Sequence, residues 1–367
     1  MQNDVVQLTQ QLLALNTINP PGSEEPCIKL IESWLNELGL DVELHYFAPN
    51  RCNLLAKTPG SFTHYLTFTG HVDTVPLGLQ NWRFSPWGED INQGRLYGRG
   101  SSDMKGAIAA FIIALSRALQ AGLTQGVMLL ITGGEETGCE GAKALLKERA
   151  IAPVSSLIVG ESTNNQPVIG HKGALWLRCQ SRGVTAHGAM PHLGDNAIYK
   201  TASAIHKIQS FEVGPSHAIM AEPTLNVGRV EGGININSVP DKSQFDVDIR
   251  THPELNHAHI KQRLSQYLGE QVEIESLMDL PAVLTETSDP WLHKVRKICE
   301  QHNHKSSPEK QIVSYFSDAS VLMQALNHPP CVILGPGSPD QAHQTDEYCL
   351  LENLYKSCDI YQAIMTH

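Results

Sequence analysis

The stretch LTFTGHVDTVP, residues 66–76, decides the fold. Its first half alternates apolar residues with threonine, the period-two pattern of a strand. A glycine follows, and then His71 and Asp73, two ionisable residues set two apart. A polar loop is the usual fate of a strand end, so the pair means little alone. What gives it weight is repetition. VMLLIT runs through two glycines into Glu135 and Glu136, SSLIVG runs into Glu161, and CVILG is followed by GPGSPDQAHQTDEY with His343. Asp103 stands in GRGSSDMKG, just ahead of a helical pattern. Ligands of parallel α/β sheets collect beyond the carboxyl ends of the strands, and these residues are placed there.

Working outward, apolar residues recur at helical spacing over residues 4–15 and 24–38, and strand-like runs follow at 42–46, 53–56 and 65–69. A helix over 104–121, a strand ending at Thr132, a helix over 142–149 and the strand SSLIVG continue the rhythm. Strands alternating with helices imply a mostly parallel sheet flanked by helices on both faces. The middle reads differently. Strand 174–182, helix 196–209, strands 224–230 and 243–250, helix 255–268 and strand 271–276 make β-α-β-β-α-β, a ferredoxin-like order. The α/β rhythm then resumes. The expectation is an α/β domain over 1–173 and 286–367, interrupted by an inserted ferredoxin-like α+β domain at 174–285.

Lysine and arginine total 27 against 38 acids, a net charge of -11 with no basic tract, which argues against nucleic acid and anionic membranes. No run approaches the roughly 18 apolar residues of a membrane helix, and the first residues read as an amphipathic helix rather than a signal peptide. The eight cysteines contain no CxxC pair and suit reduced thiols of a cytoplasmic protein.

Carboxylates crowded at one sheet edge repel one another unless a cation neutralises them. Two histidines and several acids without a thiolate suit zinc, with cobalt or manganese as substitutes. Two divalent ions against Asp103, Glu136 and Glu161, with His71 and His343 neutral, leave one excess positive charge, a balance that favours ionising a water near neutral pH. Metal ions in such pairs stand about 3.5–4 Å apart, which requires a bridging carboxylate. Glu135 is the spare acid, placed to act as general base. Asp73 can reach the far nitrogen of the His71 ring and fix its tautomer. Cys139 is left out as a ligand. Ser102 and Lys105 match S-x-x-K, but the companion KTG and SDN elements of serine acyl-transfer enzymes are absent. Neither a GxSxG elbow nor a Walker A loop occurs. His252, His257, His259, His302 and His304 read as surface residues, and Trp82 and Trp87 as loop packing.

GHVDTVP, GRGSSDMKG, GGEETG, VGES and QAHQTDEY together resemble the M20 metallopeptidase family, in its acetylornithine deacetylase and succinyl-diaminopimelate desuccinylase branch. The resemblance covers essentially the whole chain. It implies a zinc-exopeptidase-like catalytic domain with two Zn2+ per subunit, one on His71 and Glu161, the other on Glu136 and His343, bridged by Asp103. It further implies Glu135 as acid/base catalyst and a homodimer formed through the inserted lid domain. His187, in VTAHGAMPH, would reach the partner's active site and stabilise an oxyanion. Asn237 in INSVP would stand nearby, and Arg250 at the end of FDVDIR would hold a substrate carboxylate. The implied reaction is removal of the acyl group from an N-acyl amino acid, N-acetylornithine first, in arginine biosynthesis. The alternatives are the desuccinylase, a dipeptidase or carboxypeptidase, and an aminoacylase.

Overall fold

The structure, a computed structural model, describes residues 2–148, 151–303 and 311–366. His304 lies outside the described residues. The chain divides into two compact units, one of residues 1–170, 284–313 and 317–367, the other of residues 171–283 and 314–316. The segment Ser314–Phe316 of the second unit has no counterpart in the expectation from sequence.

In the first unit a sheet runs in the order Asp41–Ala48, Arg51–Lys57, Gly126–Thr132, Tyr65–His71, Val154–Val159 and Cys331–Ile333. The last four strands are parallel, and the first two join antiparallel at one edge. Tyr65–His71 is buried along its whole length, although its threonines suggest a polar face. Both faces are covered, and the hydroxyls are satisfied internally: Thr69 Oγ1 donates to Leu130 O at 3.0 Å.

The helix Lys105–Gln120 is apolar almost all round because it packs against the sheet and against helices Gln2–Leu13 and Leu351–Thr366. Phe68, Phe111 and Tyr361 cluster at their junction, Phe68 stacked on Phe111 at 4.2 Å and edge-on to Tyr361 at 5.8 Å. Burial of each such ring contributes about 1.5–3 kcal/mol. Gly70 allows that helix to approach the strand, since a Cβ there would meet Ile108 Cγ1 at 3.1 Å. Lys105, buried at the start of the helix, donates to Leu12 O and Leu15 O at 3.0 and 2.9 Å.

The second unit is ferredoxin-like: Gly173–Arg182, Ala197–Ile208, Thr224–Gly232, Lys242–Thr251, His257–Leu268 and Val272–Leu280. Its sheet runs Thr224–Gly232, Lys242–Thr251, Gly173–Arg182, Val272–Leu280, each neighbour antiparallel. Leu175, Leu177, Phe245, Val247 and Ile249 face the helices and form its core. The alternate residues carry polar pairs, Trp176 Nε1 to Asp248 at 2.9 Å and Arg178 to Asp246 at 2.9 Å. Asn196 and Asn256 cap the two helices through their side-chain oxygens.

Two histidines depart from the surface expectation. His252 is buried, its Nε2 3.0 Å from Pro215 O. His257 bridges Thr251 Oγ1 at 2.7 Å and Asp279 Oδ1 at 2.6 Å. His252 is covered by the loop that carries Pro215 and His217, and His257, at the start of its helix, reaches back to the end of strand Lys242–Thr251; His259, two residues further on, is exposed. His302 is partly buried. No helix among the described residues is long and apolar enough to cross a membrane.

Candidate metal centre

His71 ends its strand, Glu135 and Glu136 follow Gly126–Thr132, and Glu161 follows Val154–Val159, so the three parallel neighbours deliver their acids and imidazole to one edge. His343 comes from the loop after Cys331–Ile333, and Asp103 stands one residue ahead of Met104, the N-cap of the helix Lys105–Gln120, to which a cis peptide joins it.

Two groups result. His71, Asp103 and Glu161 each offer a ligand atom within 4.8 Å of the others, and so do Asp103, Glu136 and His343. His71 Nε2 stands 3.3 Å from Asp103 Oδ1 and 3.4 Å from Glu161 Oε1. His343 Nε2 stands 3.5 Å from Asp103 Oδ2 and 3.2 Å from Glu136 Oε2. Asp103 thus turns one oxygen to each group. Two ligands at about 2.0–2.1 Å from a tetrahedral zinc ion are roughly 3.3 Å apart, which is the spacing seen. Asp103 Oδ1 is buried without a well-directed donor, a lone pair a cation would take up. The residues therefore fit a pair of divalent ions. Glu135 belongs to neither group and is buried.

Several side chains hold these groups in place. Asp73 is fully buried and accepts the backbone N–H of Glu135 at 3.1 Å and of Glu136 at 3.2 Å. Its backbone oxygen lies 2.9 Å from His71 Nδ1, closer than its carboxylate at 3.5 Å. The ring is oriented mainly by the main chain, while the carboxylate fixes the glutamate loop. Three supports have no role in the sequence reading. Asn19 donates to Asp73 Oδ2 at 3.0 Å and to Thr137 Oγ1 at 2.9 Å. Glu347 accepts from the N–H groups of Gly100, Ser102 and Asp103 and pairs with Arg99 at 2.6 Å, both side chains buried. The only signal for Glu347 is its place in QAHQTDEY, and for Arg99 its place in GRGSSDMKG.

The crowding shifts the titrations of the metal-free chain. Burial first, and Asp103 beside it, push Glu161 up to about 7. Burial opposes charging His71, but the adjoining carboxylates of Asp103, Asp73 and Glu161 hold it well above the ordinary histidine range. Burial and the charges of Glu161, Glu136 and Asp318 push Glu135 well up against the pull of His71. Between the ordinary 4.5 and about 7, folded Glu161 binds more protons than the unfolded chain, so its contribution to the stability of the metal-free protein falls as pH rises through that window. An entering ion must displace the protons on His71 and Glu161. Apparent zinc affinity is therefore expected to rise with pH through about 7, where Glu161 gives up its proton, and to go on rising while His71 still holds its own, with protons released. Calorimetric titration in buffers of different ionisation enthalpy reads this directly; a binding heat independent of buffer would contradict it.

The S-x-x-K pair is not a nucleophile and its base. Ser102 Oγ donates to Tyr348 O at 2.7 Å, while Lys105 is engaged with Leu12 and Leu15. Trp82 packs its loop, as expected, donating to Leu77 O. Cys139 is buried and outside both ligand groups.

His187, Asn237 and Arg250 lie in the second unit. The first two stand in facing loops, joined by the His187–Ser238 bridge and by Gly188 N donating to Asn237 O at 2.7 Å. Both are exposed. Arg250 is paired side-on with Asp248, at 2.9 Å from its Oδ1, and also donates to Ser314 O at 3.3 Å.

Comparison with known proteins bears on the whole chain. The profile of peptidase family M20/M25/M40 matches residues 67–367. An acetylornithine deacetylase from Vibrio cholerae is 32% identical over 346 residues, 90% of this chain and 88% of that one. A probable succinyl-diaminopimelate desuccinylase from Staphylococcus epidermidis is 28% identical over 99% of this chain and 97% of that one. In structure, an M20 family metallo-carboxypeptidase from Sulfolobus solfataricus superposes with a TM-score of 0.85 at 19% identity, covering 99% of this chain and 98% of the other. This last likeness establishes the fold alone.

Proposed function

Because the chain belongs to peptidase family M20/M25/M40, we propose that it is a dinuclear zinc amidohydrolase that removes the acyl group from an N-acyl amino acid. The coarser statement, a metal-dependent amide hydrolase, follows from the family and its relatives. The observation that carries the finer one is Asp103 shared by two ligand groups, with buried Glu135 held outside both. His71 and Glu161 would hold one ion and Glu136 and His343 the other, with Asp103 bridging. When bound, the ions polarise the amide carbonyl and acidify water.

The chain's own residues supply the rest. Glu135 takes a proton from the attacking water and hands it to the departing amine, the work of one acid/base group in both directions. Asp73 keeps Glu135 in place through its backbone N–H. His187 of a second copy stabilises the oxyanion, and Asn237 supports it. The homodimer this needs draws support from edge strand Thr224–Gly232, where Val230, and Ile234 and Ile236 just beyond it, are exposed. Arg250 takes a substrate carboxylate by loosening its pairing with Asp248. N-acetylornithine is the favoured substrate, given the 32% identity of the deacetylase; N-succinyl-diaminopimelate is the second reading.

The test is a turnover panel of N-acetylornithine, N-succinyl-diaminopimelate, N-acetylcitrulline and simple dipeptides, run with added zinc on protein of measured solution mass. Fastest turnover of an N-acyl amino acid by a dimer is the expected result. Preference for a dipeptide would overturn the deacylase reading, and a fully active monomer would remove His187 from the mechanism.

A further inference from the structure

Asp318 is a buried acid close to the centre that neither ligand group contains. It stands at the N-cap of the helix Ala319–Ala325 but makes no capping hydrogen bond, so the ordinary reason for an aspartate there is missing. Its side chain turns inward instead. Oδ2 accepts from Thr132 Oγ1 at 2.5 Å, and Oδ1 is buried without a well-directed donor. The Cys139 thiol lies against the same carboxyl.

These two contacts lie at the two feet of one loop. Thr132 closes the strand Gly126–Thr132, and Cys139 immediately precedes the helix Glu140–Glu148. Between them run residues 133–138, which carry Glu135 and Glu136. The base of the loop is also closed by its backbone, with Gly141 N donating to Gly133 O at 3.0 Å and Glu140 N to Gly134 O at 2.8 Å. A Cβ on Gly141 would come within 2.1 Å of Gly133 O, so the two feet are as close as glycine permits. Asp73 grips the crest of the loop through the amides of Glu135 and Glu136. Asp318 grips the base from below. Burying a carboxyl with one oxygen unmatched costs stability, and burial pushes this one up from its ordinary value. A plain core position would be better served by an apolar side chain.

We propose that Asp318 is a positioning residue for Glu135: it clamps Thr132 and Cys139 so that the loop between them presents Glu135 to the reacting water. The inference rests on the reading of Glu135 as proton carrier. It adds a constraint that the ligand groups do not supply, because Glu135 has no ion to hold it.

The test uses zinc-loaded enzyme and whichever substrate of the panel is turned over fastest. Asp318→Ala and Thr132→Val are each expected to lower kcat about 10–100-fold, the cost of displacing a reacting group by an ångström or so. KM should stay within about two-fold, since substrate binding is not touched, and two ions per chain should remain. Asp318→Asn, whose amide oxygen still accepts from Thr132, should recover to within about three-fold of wild type. The double variant should lose much less than the product of the two single losses, because the Thr132–Asp318 contact is common to both. Thr132→Val keeps the volume of the site, so it reports even if Asp318→Ala does not fold. An unchanged kcat in Thr132→Val would overturn the proposal. So would a loss that tracks lost metal, or an Asp318→Asn enzyme as slow as Asp318→Ala. Glu135→Gln assayed alongside separates the two ideas. If that enzyme turns over, the reading of Glu135 has failed; if it is dead while the clamp variants are normal, only the clamp has.

Discussion

Glu135→Gln is expected to lower kcat by about 10²–10⁴-fold while both ions stay bound, the range for removing a positioned acid/base group. Glutamine matches glutamate in shape and keeps the backbone N–H that donates to Asp73, so the loop should not move. What it lacks is a proton site. Glu135 lies outside both ligand groups, so metal content should be unaffected, and that separates this variant from substitutions at Glu136 or Glu161. Those should lose an ion together with activity. In the metal-free chain, burial and the neighbouring acids already raise the proton affinity of Glu135, the direction a group needs if it is to hold a proton between two steps. Bound cations would oppose that shift, so the working value in the enzyme belongs to the loaded state. Metal analysis and steady-state kinetics on the same preparation decide the matter. Wild-type turnover by the Glu135→Gln enzyme would remove Glu135 from the reaction, and turnover indifferent to chelators would remove the ions as well.

Glu347→Ala should have the largest effect on the fold around the site. Arg99 would lose its carboxylate in a fully buried position, and the N–H groups of Gly100, Ser102 and Asp103 would lose their acceptor. Breaking one side of a buried ion pair costs about 3–5 kcal/mol. For a protein of this size that corresponds to a fall of about 4–6 °C in melting temperature. The loop so loosened carries Asp103, the residue common to both ligand groups. Zinc affinity should therefore drop by about 10–100-fold, as is usual when the support of a ligand is removed. Thermal unfolding with and without zinc measures both effects. An unchanged melting temperature in the metal-free protein would mean that Arg99 and the three amides find other partners, and Glu347 would not be the anchor of the Asp103 loop.

Much of the α/β architecture could be read from the sequence because hydrophobic periodicity is local. Gly126–Thr132 is a nearly continuous apolar run, Tyr65–His71 alternates apolar residues with threonine and Val154–Val159 ends in three apolar residues, and a strand pattern followed by an acid or a histidine marks its own carboxyl end. The surface expectation for His252 and His257 failed for the complementary reason. Whether a polar residue after a strand points outward depends on how sharply the chain returns, and Pro215, Thr251 and Asp279 supply partners that their neighbours in sequence do not reveal.

The sequence by itself determined which residue types arrive at the sheet edge and in what order, because each ligand is tied to the strand or helix beside it. It therefore named His71, Asp103, Glu136, Glu161 and His343 as candidate ligands, with Glu135 as the spare acid, and the fold brings the five together in two groups. Only the tertiary structure decided how these residues are held. Thr132 meets Asp318 across 186 positions, Glu347 reaches Gly100 across 247, and Asn19 reaches Asp73 across 54. A hydrogen bond depends on distance in space and on direction, and linear order carries neither. The supports of the centre, unlike its candidate ligands, become visible only when the chain is folded.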